Sequence, residues 1–160
     1  MERRYYVYIM SNFKRSVLYV GVTSNLPRRV WEHSRGINDS FTKKYNVKFL
    51  INDDVYLAKK LDADGCHLGQ KDMTVLKARK IIGKKIIGVT CHNSIKLAKD
   101  ALRNKVDYLA FGSFYNSKTK KTTYKAKIKI LKNIKKITNI PIVAIGGINS
   151  DNYKNLLLNN

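Results

Sequence analysis

"FTKKYNVKFLINDD", residues 41–54, is the stretch in which the chain changes character. To its left, "YYVYI" (5–9) and "VLYV" (17–20) are aromatic and β-branched, and "MSNFKRS" between them has turn composition, which predicts a β-hairpin. Asn25 is a helix cap, Pro27 falls in the first turn, and "RRVWEHS" carries the helix to a stop at Gly36. The N-terminal segment is therefore read as β-β-α. To the right of Val47 the rhythm is different: "VKFLI", "GCHLG", "KIIGVT", "VDYLAFG" and "IPIVAIGG" are short runs that are apolar throughout, as strands covered on both faces are. Helical patterns separate them, with Val75, Ala78 and Ile82 on one face, then Ile95, Ala98 and Leu102, then Ile128, Leu131, Ile134 and Ile137. The expected fold class is α/β: a β-β-α segment over 1–46, then an incomplete (β/α) barrel-like parallel sheet of about five β-α units over 47–160.

The 160 residues suffice for one ordinary core or two very small ones. No apolar run reaches the roughly 18 residues that span a bilayer, and "MERRYYVYIM" lacks the apolar stretch of a secretory signal, so a cytoplasmic protein is expected. Cys66 and Cys91 are too few for a disulfide framework and are read as buried apolar residues. The net charge is +21, from 32 Lys and Arg against 11 Asp and Glu, which raises a nucleic-acid partner as one reading. The charge is spread, however. Residues 1–48 hold ten basic and three acidic groups and residues 49–160 hold 22 and eight, with Lys, Asn and Ile abundant throughout, as in genomes of low GC content. From Lys118 to Lys136 nine lysines occur with no acid, read either as a solvated helix face or as an anion-binding loop at the front of that run.

The polar residues of the right-hand part follow the carboxyl ends of the expected strands: Asn52 and Asp53, Gln70 and Asp72, Thr90, then 113–120, then Gly146 and Gly147. That is the face on which α/β barrels build their sites. Asp53 and Asp72 either hold a hard cation such as Mg2+ together with a phosphorylated substrate, or cap the helices that follow. "SFYNSKTKK" offers hydroxyl and ammonium groups to anionic oxygens, and the glycine amides of "IGGIN" suit a phosphate. Cys66-His67 and Cys91-His92 do not form a zinc site by spacing, since neighbours in a strand point to opposite faces. In the left-hand part Tyr8 and Tyr19 lie on paired strands, and Arg29 and His33 share a helix face. That grouping permits a base acting on water, with Arg29 beside a phosphorane-like charge, or merely core tyrosines and a solvated helix.

"VYIMSNFKRSVLYVGVTSNLPRRVWEHSRG" resembles the opening of a GIY-YIG nuclease domain, with Val7-Tyr8-Ile9 and Tyr19-Val20-Gly21 in the two signature places. The resemblance implies roles for Tyr8, Tyr19, Arg29 and His33 in metal-dependent cleavage of DNA. The family's metal-binding Glu, on a helix after a third strand, has no counterpart here. "LINDDVYLAKKLDADGCHLGQKDM", "IIGVTCHN", "DYLAFGSFYNSKTKK" and "IPIVAIGGIN" resemble, in order, the motifs of thiamine phosphate synthase. That resemblance implies a (β/α)8 barrel that joins a hydroxymethylpyrimidine diphosphate to a thiazole phosphate with loss of diphosphate. It implies Mg2+ ligands in Asp53 and Asp72, pyrimidine contacts from Asn52 and Gln70, and Thr90 near the diphosphate. Ser117, Thr119 and Lys120 fall in a Thr-x-Thr-Lys loop, and Gly146-Gly147 at the thiazole phosphate. The family's first two strands, with the Arg and Lys that grip the diphosphate, and its last strand have no counterpart, so impaired turnover and two open sheet edges are expected, with oligomerisation as one way to cover them. The sequence is read as a fusion of two incomplete domains whose function follows the larger. The alternatives are a DNA-binding or DNA-cleaving protein and an inactive fragment.

Overall fold

The computed structural model describes residues 6–12, 18–35, 47–116 and 123–158. Two compact units are present, Met1–His67 with Leu76–Ile86, and Leu68–Val75 with Ile87–Asn160. No helix among the described residues is long and apolar enough to cross a membrane.

In the first unit, β1 (Tyr6–Asn12) and β2 (Leu18–Thr23) form the expected antiparallel pair, Tyr8 opposite Gly21 and Met10 opposite Tyr19. Helix α1 (Leu26–Arg35) follows, capped by Asn25, whose Oδ1 accepts the Arg28 amide at 3.1 Å. Strand β3 (Val47–Asn52) then pairs antiparallel with β1, Tyr8 opposite Ile51, and on its other side parallel with β4 (Gly65–Leu68), Ile51 beside Cys66. The strand order in this unit is β2-β1-β3-β4. Phe49, Leu50 and Ile51 are all buried, so consecutive side chains on both faces of β3 are covered, as the unbroken apolar run requires. An open edge is expected at β3 from sequence; instead β1 fills it, because the ladder of a strand with two buried faces needs a partner on each side. Helices α2 (Val55–Lys60) and α3 (Val75–Ile82) turn Val55, Ala58, Ala78 and Ile82 inward.

The second unit holds β5 (Ile86–His92), β6 (Tyr108–Phe111) and β7 (Ile142–Ala144), parallel and in that order, with helices α4 (Ile95–Arg103), α5 (Lys129–Lys135) and α6 (Tyr153–Leu157) after them. From β3 onward every strand is followed by a helix, giving the five expected β-α units. Its core is Ile87, Val89, Cys91, Leu109, Ala110, Phe111, Leu131 and Ile134. Both thiols are buried, and burial pushes the Cys91 thiol up to about 12, which rules out a thiolate at neutral pH.

A repeated device secures the amino ends of the strands. Asp64, just before β4, accepts the Phe49 amide of β3 at 2.8 Å; Asp107, just before β6, accepts the Ile87 amide of β5 at 2.8 Å. Each carboxylate satisfies a strand amide at the core margin that would otherwise lack this partner. Asp107→Ala is expected to cost about 1–3 kcal/mol, the penalty of an unsatisfied amide, while Asp107→Asn keeps an acceptor and costs less. Urea midpoints of the two variants check this, and equal losses would refute it.

Candidate active site

Asn52 and Asp53 stand at the carboxyl end of β3. The Asp53 amide donates to the His67 carbonyl at 2.8 Å, and its φ of +66° lies in the left-handed region, uncommon outside glycine. Its neighbour Asp54 is the helix cap: Asp54 Oδ1 accepts the Leu57 amide at 2.9 Å. Capping of α2 thus falls to Asp54. The left-handed backbone of Asp53, like those of Asp62 and Lys105, belongs to a turn between elements, and its carboxylate is exposed at the strand end.

The second unit gathers the other residues. After β4, Asp72 accepts the Gly69 amide at 2.6 Å and closes a tight turn. Gln70 Nε2 donates to the Thr90 carbonyl at the end of β5, which leaves Gln70 Oε1 as an acceptor. After β6, Ser113 is 7% exposed and its Oγ donates to the Tyr115 carbonyl. The loop after β7 is bound to the loop after β6 through the backbone: Phe114 N to Ile145 O at 3.2 Å, and Tyr115 N to Gly146 O at 2.9 Å. Gly146 and Gly147 have φ of +92° and +66°, and a Cβ on Gly146 would lie 2.6 Å from Ser113 Cα while one on Gly147 would overlap the Asn116 carbonyl. Only glycine permits both the conformation and the approach.

Side chains beyond the loop hold it there. Asn152 Nδ2 donates to the Gly147 carbonyl at 3.0 Å, Asn152 Oδ1 accepts the Asn149 amide at 2.9 Å, and Tyr115 Oη donates to the Asn152 carbonyl at 3.0 Å. Among the described residues no hydrogen bond engages the amides of Gly146, Gly147 or Ile148. Consecutive amides on a positive-φ turn are suited to an anion. Ser113 and Tyr115 fall within the 113–120 loop that sequence singles out, whereas Asn152 and the stacking of His92 on Tyr124, whose ring centres are 3.8 Å apart, were not foreseen. Their only local signal was position after a strand.

Ser117, Thr119 and Lys120 lie outside the described residues. In the N-terminal segment, Tyr8 and Tyr19 occupy adjacent strands and Arg29 and His33 lie on α1. Arg29 Nη1 is paired with Glu32 Oε2 at 2.9 Å, and Arg28 Nε with Glu32 Oε1 at 2.8 Å. The hydrogen bond from Arg29, then that from Arg28, holds the Glu32 carboxyl below the usual range. Among the described residues, no group of three or more His, Cys, Asp or Glu side chains is arranged to hold a metal ion.

The family model for thiamine monophosphate synthase matches residues 27–160. A thiamine-phosphate synthase of Pelagibacter ubique is 69% identical over 116 residues, covering 72% of this chain and 56% of that protein. One from Nitrosomonas eutropha is 47% identical over 116 residues, covering 72% and 55%. A solved thiamine phosphate pyrophosphorylase from Pyrococcus furiosus superposes with a TM-score of 0.68 at 31% identity, over 84% of this chain and 64% of that one. The chain spans about half the length of the curated relatives it matches.

Proposed function

The chain belongs to the thiamine monophosphate synthase family, and from that premise we propose that it supplies substrate-binding residues for joining a hydroxymethylpyrimidine diphosphate to a thiazole phosphate with release of diphosphate. The observation that carries the proposal is the Gly146-Gly147 turn, pinned by Asn152 and pressed onto Ser113, a positive-φ turn of the kind that suits a phosphate. Gly146 and Gly147 take the thiazole phosphate. Asn52 and Gln70 take the pyrimidine, the latter held in orientation by its bond to the Thr90 carbonyl. Thr90 and the loop residues Ser117, Thr119 and Lys120 take the diphosphate. Turnover also needs the diphosphate-gripping arginine and lysine that the family resemblance places on its first strands.

Asp53 and Asp72 suit Mg2+ as hard oxygen donors. Such ions bind through one or two carboxylates plus substrate phosphate and water. Asp53 is spared from capping, and Asp72 is oriented by the Gly69 amide. When bound, Mg2+ offsets the charge of the departing diphosphate. The chain's own residues orient the two substrates so that the methylene carbon passes from the diphosphate oxygen to the thiazole nitrogen.

Calorimetric titration of each substrate into the chain tests this. Binding of the pyrimidine diphosphate is expected to need Mg2+ and to weaken about tenfold or more in Asp53→Asn or Asp72→Asn, whereas thiazole phosphate binding survives both changes. Failure of either substrate to bind would reject the proposal.

A second reading is favoured by one observation. Strands β1, β2 and β3 with α1 make a β-β-α-β arrangement with β1 central between antiparallel partners, the order in which a GIY-YIG domain reaches its third strand. On this reading residues 1–46 derive from a nuclease and 47–160 from the synthase, and β3 serves both. Metal-dependent nicking of plasmid DNA that disappears in Arg29→Ala supports it; nicking indifferent to that change points to a contaminant.

A further inference from the structure

In the second unit α4 and α5 pack against each other. Ala98 and Ala101 of α4, and Ile130, Leu131 and Ile134 of α5, face the core. At 3.6 residues per turn, Lys96, Lys99 and Arg103 fall within a sector of about 60° on the opposite side of α4. Lys129 and Lys132 of α5, with Lys136 just after it, do the same on its outer side, again within about 60°. All six side chains are exposed. The only acid on either helix is Asp100, which is partly exposed and paired with Arg103 at 2.7 Å. General lysine richness explains the number of cations. Burial of each helix's apolar side turns them outward, where they line up as two adjacent rows in which Asp100, paired with Arg103, is the one acid.

We propose that the paired outer faces of α4 and α5 form a docking surface for the phosphate backbone of duplex nucleic acid. Successive cations in each row are separated by one helical turn, about 5–6 Å, and neighbouring helix axes are about 8–10 Å apart, so the rows present a two-dimensional grid of positive charge. An anionic membrane is a poorer fit. Binding in a bilayer interface needs several large apolar groups beside the cations, and the apolar sides of both helices are turned into the core, with Ile137, just after α5, the single exposed large hydrophobic side chain beside the rows among the described residues. Recognition is through charge alone and is independent of base sequence.

Fluorescence anisotropy of a labelled mixed-sequence duplex DNA, measured with the full chain over a series of salt concentrations, tests the proposal. With six phosphates neutralised, log affinity is expected to fall with log salt at a slope of about −5. The triple variant Lys129→Gln, Lys132→Gln, Lys136→Gln should reduce the slope to about −3 and weaken binding roughly 100-fold at 0.1 M salt. A control triple, Lys59→Gln, Lys60→Gln, Lys80→Gln, removes the same charge from exposed positions on α2 and α3 and should leave the slope near −5. Circular dichroism verifies that both variants are folded. Equal weakening by the two triples would reduce the effect to net charge and overturn the proposal. It would likewise be overturned by absent binding at 0.1 M salt, or by vesicles of phosphatidylserine and phosphatidylcholine binding as tightly with the same dependence on the α5 lysines.

Discussion

Phe111→Ala is expected to lower the free energy of unfolding by about 3–5 kcal/mol. Phe111 is fully buried and among the largest side chains with no exposure. It ends β6, where the backbone is engaged on both sides: the Ile145 amide donates to the Phe111 carbonyl at 2.9 Å, and the next residue, Gly112, donates to the His92 carbonyl at 3.0 Å. Strands held this way cannot collapse into the space left by the ring, so most of the cavity remains and the cost stays near the upper end of the range. Against a total stability of about 5–15 kcal/mol, that unfolds a measurable fraction of the molecules. Urea denaturation followed by circular dichroism reads the change, with Phe114→Ala, at a half-buried position, as a milder comparison. A loss below about 1 kcal/mol would show that the second unit lacks a packed core around Phe111.

Gly146→Val should combine two penalties. The φ of +92° is nearly closed to a β-branched residue, costing about 1–3 kcal/mol, and the new side chain would overlap Ser113 well inside van der Waals contact, which adds about 1–3 kcal/mol of overpacking. Because the loops after β6 and β7 hydrogen-bond through Tyr115 N and Gly146 O, the strain is relieved by parting those loops. Thiazole phosphate binding should then be lost while pyrimidine diphosphate binding weakens less. Gly146→Ala places the offending Cβ without the branches and should give an intermediate effect. Unchanged phosphate affinity in the valine variant would remove the Gly146-Gly147 turn from the proposed site.

Much of the candidate site's placement was legible in the sequence. Asn52, Asp53, Gln70, Asp72, Thr90 and the glycine pair follow strand ends, and strand ends follow from where unbroken apolar runs stop. What each residue does there was less legible. Asp53 and Asp54 are interchangeable in sequence, and the cap goes to Asp54 because its backbone is extended while that of Asp53 is left-handed. His92 and Tyr124 stack, and Asn152 holds Gly147, through contacts that no local pattern announces.

The sequence by itself determined the β-β-α opening, the five β-α units beginning at Val47, and the capping of α1 by Asn25, since each depends on side-chain periodicity or on a hydrogen bond within one turn. Only the tertiary structure decided that "VKFLIN", just beyond the residues where the chain changes character, is shared between two kinds of pairing, antiparallel with β1 and parallel with β4. A strand carries a ladder of donors and acceptors along each edge, and its sequence does not say which segment will satisfy them. The outcome rests on which other edges the fold brings alongside, and here burial of both faces of β3 left two edges to be filled.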